Sequence, residues 1–384
     1  MHISFLLGSG ASIAAGMPSV RTISSRVFSG DGVVRFSDAT YGFSSPSWPN
    51  SGRYQARTDA AIELVQRLRG LADSLSAPIV DARGATYEDV ANLARQIAYP
   101  IPGEYENPAL LPLLTDLRQN GGLESISQCA TDALDYIRDI VWRLLDRPVD
   151  RVDHLDAITD ACRDLGALDL FDLNHDRVLA KALGSAGVDV CDGFTDRRGD
   201  ALFWRGRFIR PIRHFKLHGS IDWVSRWDPK QSWRGQLVAR STTNDRDHER
   251  DENEEYLPYP ADGGRPEILV GTFDKSTAYG SRTIFPDQHA RFHESLHRSQ
   301  ALVVIGYGFR DEAINSHLIG WLDQGWDRPL VVVHPEPTEL RDEASGGITR
   351  EWSTWERAGR LQVVKKRIEE ATWSEIADAL LAGG

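Results

Sequence analysis

Cysteine, cationic charge and long apolar runs are all scarce in this chain, and each scarcity removes a class of protein. Three cysteines, Cys129, Cys162 and Cys191, stand far apart and unevenly among 384 residues, which excludes a paired C-x-x-C zinc ribbon and a secreted disulfide framework. A reducing, cytoplasmic setting is expected. No apolar run reaches the roughly 18 residues that mark a bilayer span, and an apolar strand begins at Ile3, so neither a membrane anchor nor a secretion signal is expected. Lys and Arg number 44 against 56 Asp and Glu, a formal net charge of −12. That balance disfavours a phosphate backbone as the default partner, and nucleic acid is expected only indirectly or within a complex.

What is present is enough apolar surface, 41% of residues, for a sizeable core in about two domains. Ile3-Ser4-Phe5-Leu6-Leu7 reads as a buried strand, followed by a glycine-rich turn and a helix start. From Thr22 to about Arg57 no period is visible, and the composition with isolated aromatics (Tyr41, Phe43, Trp48, Tyr54) reads as a long mobile loop, either functional as a lid or inert and disordered. From Asp59 to about Leu165 apolar residues recur at helical spacing, as in Val90, Leu93, Ala94, Ile97 and again in Ile137, Ile140, Val141, Leu144. Short apolar runs then alternate with helical stretches: Ala167 to Leu173, His214 to Leu217, Glu267 to Val270, Ala301 to Ile305 and Pro329 to Val333. Arg240 to Arg265 is a polar excursion. The expected fold is α/β, a Rossmann-like doubly wound parallel sheet with a helical insertion domain: residues 1–58 (first strand, turn and loop), 59–165 (insertion) and 166–384 (remainder).

In such a sheet ligands bind beyond the carboxyl ends of the strands. Here those ends carry Gly8-Ser9-Gly10-Ala11-Ser12, Asn174-His175-Asp176, His218-Gly219-Ser220, Gly271-Thr272, Gly306-Tyr307-Gly308 and His334-Pro335. Polar and glycine residues thus collect on one edge, as a nucleotide site requires. The first turn suits a diphosphate, since glycines permit close backbone approach and a helix start offers N–H groups. Its spacing is not the dinucleotide G-x-G-x-x-G: the third glycine is Gly16, and no acidic residue follows at the ribose position, which makes a hydride-transfer dehydrogenase a poor fit.

Taken together these segments resemble the sirtuins, which bind NAD. Gly8-Ser9-Gly10-Ala11-Ser12 with Gly16-Met17-Pro18 and Arg21 is similar to their G-A-G-x-S…G-I-P…R signature, Asn174-x-Asp176 to their T-x-N-x-D motif, and His218-Gly219 to their catalytic histidine and its glycine. Lys216 to Trp223, and Gly306-Tyr307-Gly308-Phe309-x-Asp311 with Asn315, resemble the divergent bacterial branch associated with defence against phage. The motifs keep family order from residue 3 to about residue 335 around the helical insertion. The chain departs from the deacetylases in lacking a four-cysteine ribbon, and has His334 where the family usually has Asn at the adenine-side strand end.

The resemblance implies an enzyme that hydrolyses NAD to nicotinamide and ADP-ribose in abortive infection; no metal is expected, because the bond breaking needs no Lewis acid and the cysteines cannot form a zinc ribbon. It implies a homo-oligomer with a protein partner such as a HerA-type ATPase. It implies Asn174 and His218 as the catalytic pair, Ser9, Gly10, Ala11 and Arg21 on the diphosphate and adjoining ribose, and Asp176 on the nicotinamide side. Gly8, Ser12, Met17, Pro18, Gly306, Tyr307, Gly308, Asp311, Asn315 and His334 complete the expected NAD-binding set. The chemistry of the residues agrees: cleavage releases a neutral amide from a pyridinium through an oxocarbenium-like state, so the site needs a placed nucleophile and a base, and imidazole titrates in the right range. Transfer or cyclisation of ADP-ribose, and NAD binding without turnover to control a partner nuclease or ATPase, remain open alternatives.

Two other signals point elsewhere. His293-Glu294-Ser295-Leu296-His297 matches the helical zinc motif H-E-x-x-H, with His289 four residues earlier, but no third ligand follows at the expected offset and the helix feeds directly into the Ala301 strand at its amino end, opposite the proposed site edge. Arg205, Arg207, Arg210 and Arg213, interleaved with Trp204 and Phe208, form a basic stretch that reads more simply as a solvated hairpin.

Overall fold

The computed structural model describes residues 2–45, 52, 54–76, 84–98, 110–120, 123–198, 201–227, 237–241, 259–260, 264–271, 284–325 and 327–383. The chain divides into two units. One comprises Met1–Met17, Pro148–Ile268 and Ala278–Gly384; the other comprises Pro18–Arg147 and Leu269–Thr277.

The first unit is built on a parallel sheet of β1 (Ile3–Leu7), β2 (Leu168–Asp172), β3 (Val190–Cys191), β4 (Ile212–Lys216), β5 (Ala301–Ile305), β6 (Leu330–Val333) and β7 (Leu361–Val364). Their order is β7-β6-β5-β1-β2-β4-β3, and every neighbouring pair is parallel. From β1 the chain moves out to one side, through β2, β3 and β4, and then returns to β5 on the other. The direction reverses beside β1, so the fold is doubly wound with its switch point there, the position at which such folds bind ligands. β1, β2, β5 and β6 are buried along their whole length, as strands covered on both faces must be, which explains their near-continuous Leu, Val, Ile and Phe.

A second, antiparallel sheet in this unit contains Gly193–Arg198, Ala201–Arg207, Gly219–Trp227, Leu237–Ser241 and Tyr259–Pro260. Pro266–Ile268 pairs with Gly219–Trp227 in that sheet. The run from Glu267 to Val270 therefore does not extend the parallel sheet as its apolar character suggested, because composition alone does not distinguish a short parallel strand from an antiparallel one. The parallel sheet instead ends in β3 and β7; β3 is only two residues long and β7 is half-buried, so neither carries a strong apolar signal. Most of the Arg240 to Arg265 excursion, together with Thr272, lies outside the described residues.

The second unit contains helices Val20–Ser29, Gln55–Ser76, Tyr87–Ala98, Leu111–Asn120 and Leu123–Leu145. The helical spacing is realised as burial: Val90, Leu93, Ala94, Ile97, Ile137, Ile140, Val141 and Leu144 all face its core. The segment expected to be a loop is partly regular. Ser19 caps Val20–Ser29 by accepting from the Thr22 N–H at 3.2 Å, and Ile23, Val27 and Phe28 are buried. Val33–Arg35 and Tyr41–Phe43 then form a hairpin. Serines and arginines between the apolar positions hide the period of this helix, and its partners are distant in sequence: the Tyr136 hydroxyl donates to the Val27 carbonyl at 2.6 Å. Tyr41, expected in a lid, is fully buried against Tyr136, and its backbone N–H donates to Asp139 at 2.8 Å. Trp48 lies outside the described residues.

Candidate functional site

Four strand ends of the first unit meet at the switch point. After β1, residues Ser9–Ala15 form a short 3-10 helix closed by Gly16. Gly8 donates its N–H to the Ile305 carbonyl at 3.0 Å, and Gly10 donates to the Gly306 carbonyl at 2.9 Å. The two glycine turns are thus in backbone contact. A Cβ on Gly306, whose φ is +62°, would stand 2.3 Å from the Ala11 nitrogen; one on Gly10 would stand 2.7 Å from the Gly306 Cα. Glycine is required on both sides of this contact by space, and at Gly306 by the left-handed backbone as well. Ser9 and Gly308 remain exposed at the surface of the two turns. Gly306→Ala is expected to lower the unfolding free energy by about 2 kcal/mol or more, the sum of left-handed strain and a backbone clash. Urea denaturation checks this, and an unchanged midpoint would count against the packing role.

After β2, Asn174 sits under the first turn. Its Nδ2 donates to the Gly8 carbonyl at 3.0 Å and to Ser12 Oγ at 3.3 Å, while its own N–H is accepted by Asp172 Oδ1 at 2.9 Å. Asp176 is buried; its Oδ1 accepts from the Val178 N–H at 2.9 Å, and burial raises its carboxyl above the ordinary value against the opposing pull of Lys216. Beneath these lies a charged cluster. Asp172 and Lys216 are register partners on β2 and β4, and Lys216 Nζ donates to Asp172 Oδ2 at 3.1 Å and to the Asp176 carbonyl at 2.6 Å. His214 Nε2 lies 3.2 Å from the same Asp172 oxygen. Burial alone would raise the Asp172 carboxyl, but Lys216 and His214 outweigh it and hold it at about 2.

After β4 the chain passes through His218 directly into the strand Gly219–Trp227. Gly219 has φ +83°, and a Cβ there would stand 2.0 Å from the Glu267 carbonyl oxygen, so the sharp exit that buries His218 requires glycine. His218 Nε2 lies 3.2 Å from Asp311 Oδ2, and its ring centroid is 6.3 Å from that of His175. After β5, Tyr307 accepts from the Asp311 N–H at 3.2 Å and donates to Asn315 Oδ1 at 2.9 Å. Asn315 Nδ2 donates to the Phe309 carbonyl and to Ser345 Oγ. His334, after β6, accepts from the Glu336 N–H at 3.1 Å, and its ring is pushed below its usual titration range by burial.

Of the residues singled out in the sequence, Gly8, Ser9, Gly10, Ala11, Ser12, Asn174, Asp176, His218, Gly306, Tyr307, Gly308, Asp311 and Asn315 lie on the turns and helix starts that follow these strands in one unit. Met17 is buried in the same unit. Pro18 and Arg21 belong to the other unit, with Arg21 exposed on its first helix. Asp172, Lys216 and His175 were not singled out as site residues. The signal for Asp172 was legible as one of two acidic residues, with Asp169, in the apolar run Leu168–Asp172.

The H-E-x-x-H helix is Phe285–Arg298, two residues before β5, and only His289, ahead of the motif itself, reaches the strand ends described above. His289 Nε2 lies 3.1 Å from the Leu217 carbonyl, and burial pushes the ring down to about 4. His293 and His297 are elsewhere, facing His317 and Gln324. Among the described residues, no group of three His, Cys, Asp or Glu is arranged to hold a metal ion. The basic stretch is largely neutralised: Arg205 pairs with Asp196, Arg210 with Asp189, and Arg213 forms two 2.6 Å hydrogen bonds to Asp169. No helix among the described residues is long and apolar enough to cross a membrane.

No protein-family model matches the chain, and no curated protein matches it. Among solved structures, it is similar to a mutant Sir2 homologue in complex with ADP-ribose, at 12% identity and TM-score 0.39, over 99% of this chain and 92% of that one. It is also similar to a Sir2 homologue in complex with NAD, at 12% identity and TM-score 0.37, over 100% of this chain and 91% of that one. The doubly wound fold itself is established by the strand order and the parallel pairing described above.

Proposed function

We propose that this chain is an NAD glycohydrolase, cleaving NAD to nicotinamide and ADP-ribose. The observation that carries the reading is the convergence, at one switch point, of a glycine turn at a helix start, a buried Asn174 and Asp176, and a buried imidazole at His218. A pyrophosphate suits the exposed edge of the first turn, near Ser9. The C1′–N bond breaks with its electron pair passing to the pyridinium nitrogen, which neutralises the leaving group without acid help. Water then bonds to C1′ and its proton passes to His218, giving nicotinamide, ADP-ribose and one proton. Asn174, tied to Gly8 and Ser12, holds the floor on which ribose and water rest.

The resemblance supports a wider setting as part of this proposal: depletion of NAD in phage defence, in a homo-oligomer switched on by a partner of HerA type. Incubation with NAD, with and without such a partner, followed by chromatography, tests the reading. Stoichiometric nicotinamide and ADP-ribose are expected. Cyclic or protein-bound ADP-ribose would move the assignment to a cyclase or transferase, and tight NAD binding without nicotinamide release to a sensor subunit.

A further inference from the structure

We propose that Asp311 is the positioning residue of His218, holding the ring with its proton on Nε2 so that Nδ1 carries the lone pair that accepts the proton of the attacking water. This deepens the glycohydrolase reading and rests on it for the role of the base.

Asp311 has two oxygens in two different jobs. Oδ1 caps the helix Glu312–Asp323, accepting from the Ala313 and Ile314 N–H groups at 3.0 and 3.1 Å. Oδ2 lies 3.2 Å from His218 Nε2, with side-chain exposures of only 5% and 6%. The approach is within ion-pair reach but not aligned as a linear hydrogen bond, and such contacts commonly tighten when substrate binds. A carboxylate fixed by a helix start is a rigid object, and here its loop is braced in turn: Tyr307 holds the Asp311 N–H, and Asn315 ties Tyr307 to Phe309 and Ser345. Phe309 adopts φ +51°, strained for a side chain of its size, and is buried among Tyr307 and Trp352. Tyr307, Asp311 and Asn315 thereby form one scaffold that aims a charge at His218.

Among the described residues, the neighbouring ionisable groups are otherwise engaged or held neutral. His289 is held neutral at ordinary pH by burial and by His218, His317 is lowered by burial, and His175 stands a ring-to-ring 6.3 Å away. Glu267, across Gly219, is engaged by the Ser225 hydroxyl. A buried carboxylate beside an imidazole favours the Nε2–H form and stabilises the imidazolium that forms on proton uptake.

Asp311→Asn separates this role from the cap, because asparagine caps helices as well as aspartate does and keeps Oδ1. Its amide then presents a donor to Nε2, which drives the ring to the Nδ1–H form. Long-range 1H–15N correlation on the 15N-histidine-labelled full chain, with His218 assigned from its alanine variant, reads the tautomer directly. Nε2–H is expected in the native protein and Nδ1–H in Asp311→Asn. kcat for NAD cleavage is expected to fall about 10²–10⁴-fold with KM little changed, and the acid limb of the rate profile to move to lower pH. An Nδ1–H ring in the native protein, or the same tautomer in both proteins, overturns the proposal. The expected tautomer exchange with no NAD turnover in either protein would uphold the positioning role and remove the glycohydrolase reading instead.

Discussion

His218→Ala is expected to reduce NAD cleavage by about 10²–10⁴-fold, the usual loss when a general base is removed. The side chain sits at a strand exit and not in the apolar core, so circular dichroism should remain that of the folded protein, with a lowered thermal midpoint because truncation takes the ring away from the buried Asp311 carboxylate. Asn174→Ala is the informative companion. Its amide spans Gly8 and Ser12, so truncation slackens the floor of the site and should raise KM as well as lower kcat. Quantifying released nicotinamide for both variants against time checks these outcomes. Folded variants that keep most of the native rate would remove His218 and Asn174 from the mechanism.

Loss of one charge from the Asp172–Lys216 pair should produce the largest change in stability. Lys216→Met leaves a fully buried carboxylate without its main cation, and Asp172→Ala leaves the ammonium; breaking a buried pair in this way costs about 3–5 kcal/mol. The same cluster sets the acid limit of the fold. With the Asp172 carboxyl held at about 2 against an ordinary 3.8, its folded form binds a proton less readily than its unfolded form. The stabilisation is therefore complete above about pH 4 and is lost as pH falls toward 2. Chemical denaturation at pH 7 and at pH 3 measures both effects. In Asp172→Ala the acid-induced decline should be shallower than in the native protein, and equal declines would show that other carboxylates govern it.

The cluster also explains why the site edge tolerates so many buried polar groups. Lys216 neutralises Asp172 and at the same time fixes the Asp176 carbonyl, so the turn carrying Asn174 and Asp176 is anchored from below. Ser12 accepts from Asn174 above it. The site is held between a charged floor and a glycine contact, and each side restricts the other.

Strands β1, β2, β4, β5 and β6 and the helical period of the second unit were legible in the sequence, because burial of a strand or of one face of a helix imposes a pattern within a few residues, whereas the edge strands β3 and β7 were not. β1 and β5 were bounded to the residue, and the polar strand ends were visible as a set. Three things were decided only by tertiary structure. The helix Val20–Ser29 is stabilised by residues about 60 to 110 positions away, such as Tyr87 and Tyr136, so its own ten residues carry little of the signal. The glycines of the first turn looked like a phosphate cradle, yet Gly10 and Gly306 are glycines first because two backbones touch there, a requirement that exists only once β1 and β5 are paired. The ionic partners were equally hidden. Asp311 lies 93 positions from His218, and Asp172 lies 44 from Lys216. Sequence names the residue types that can ionise or hydrogen-bond, but which of them share a low-dielectric space, and so which charges matter, is set by the order in which the strands assemble.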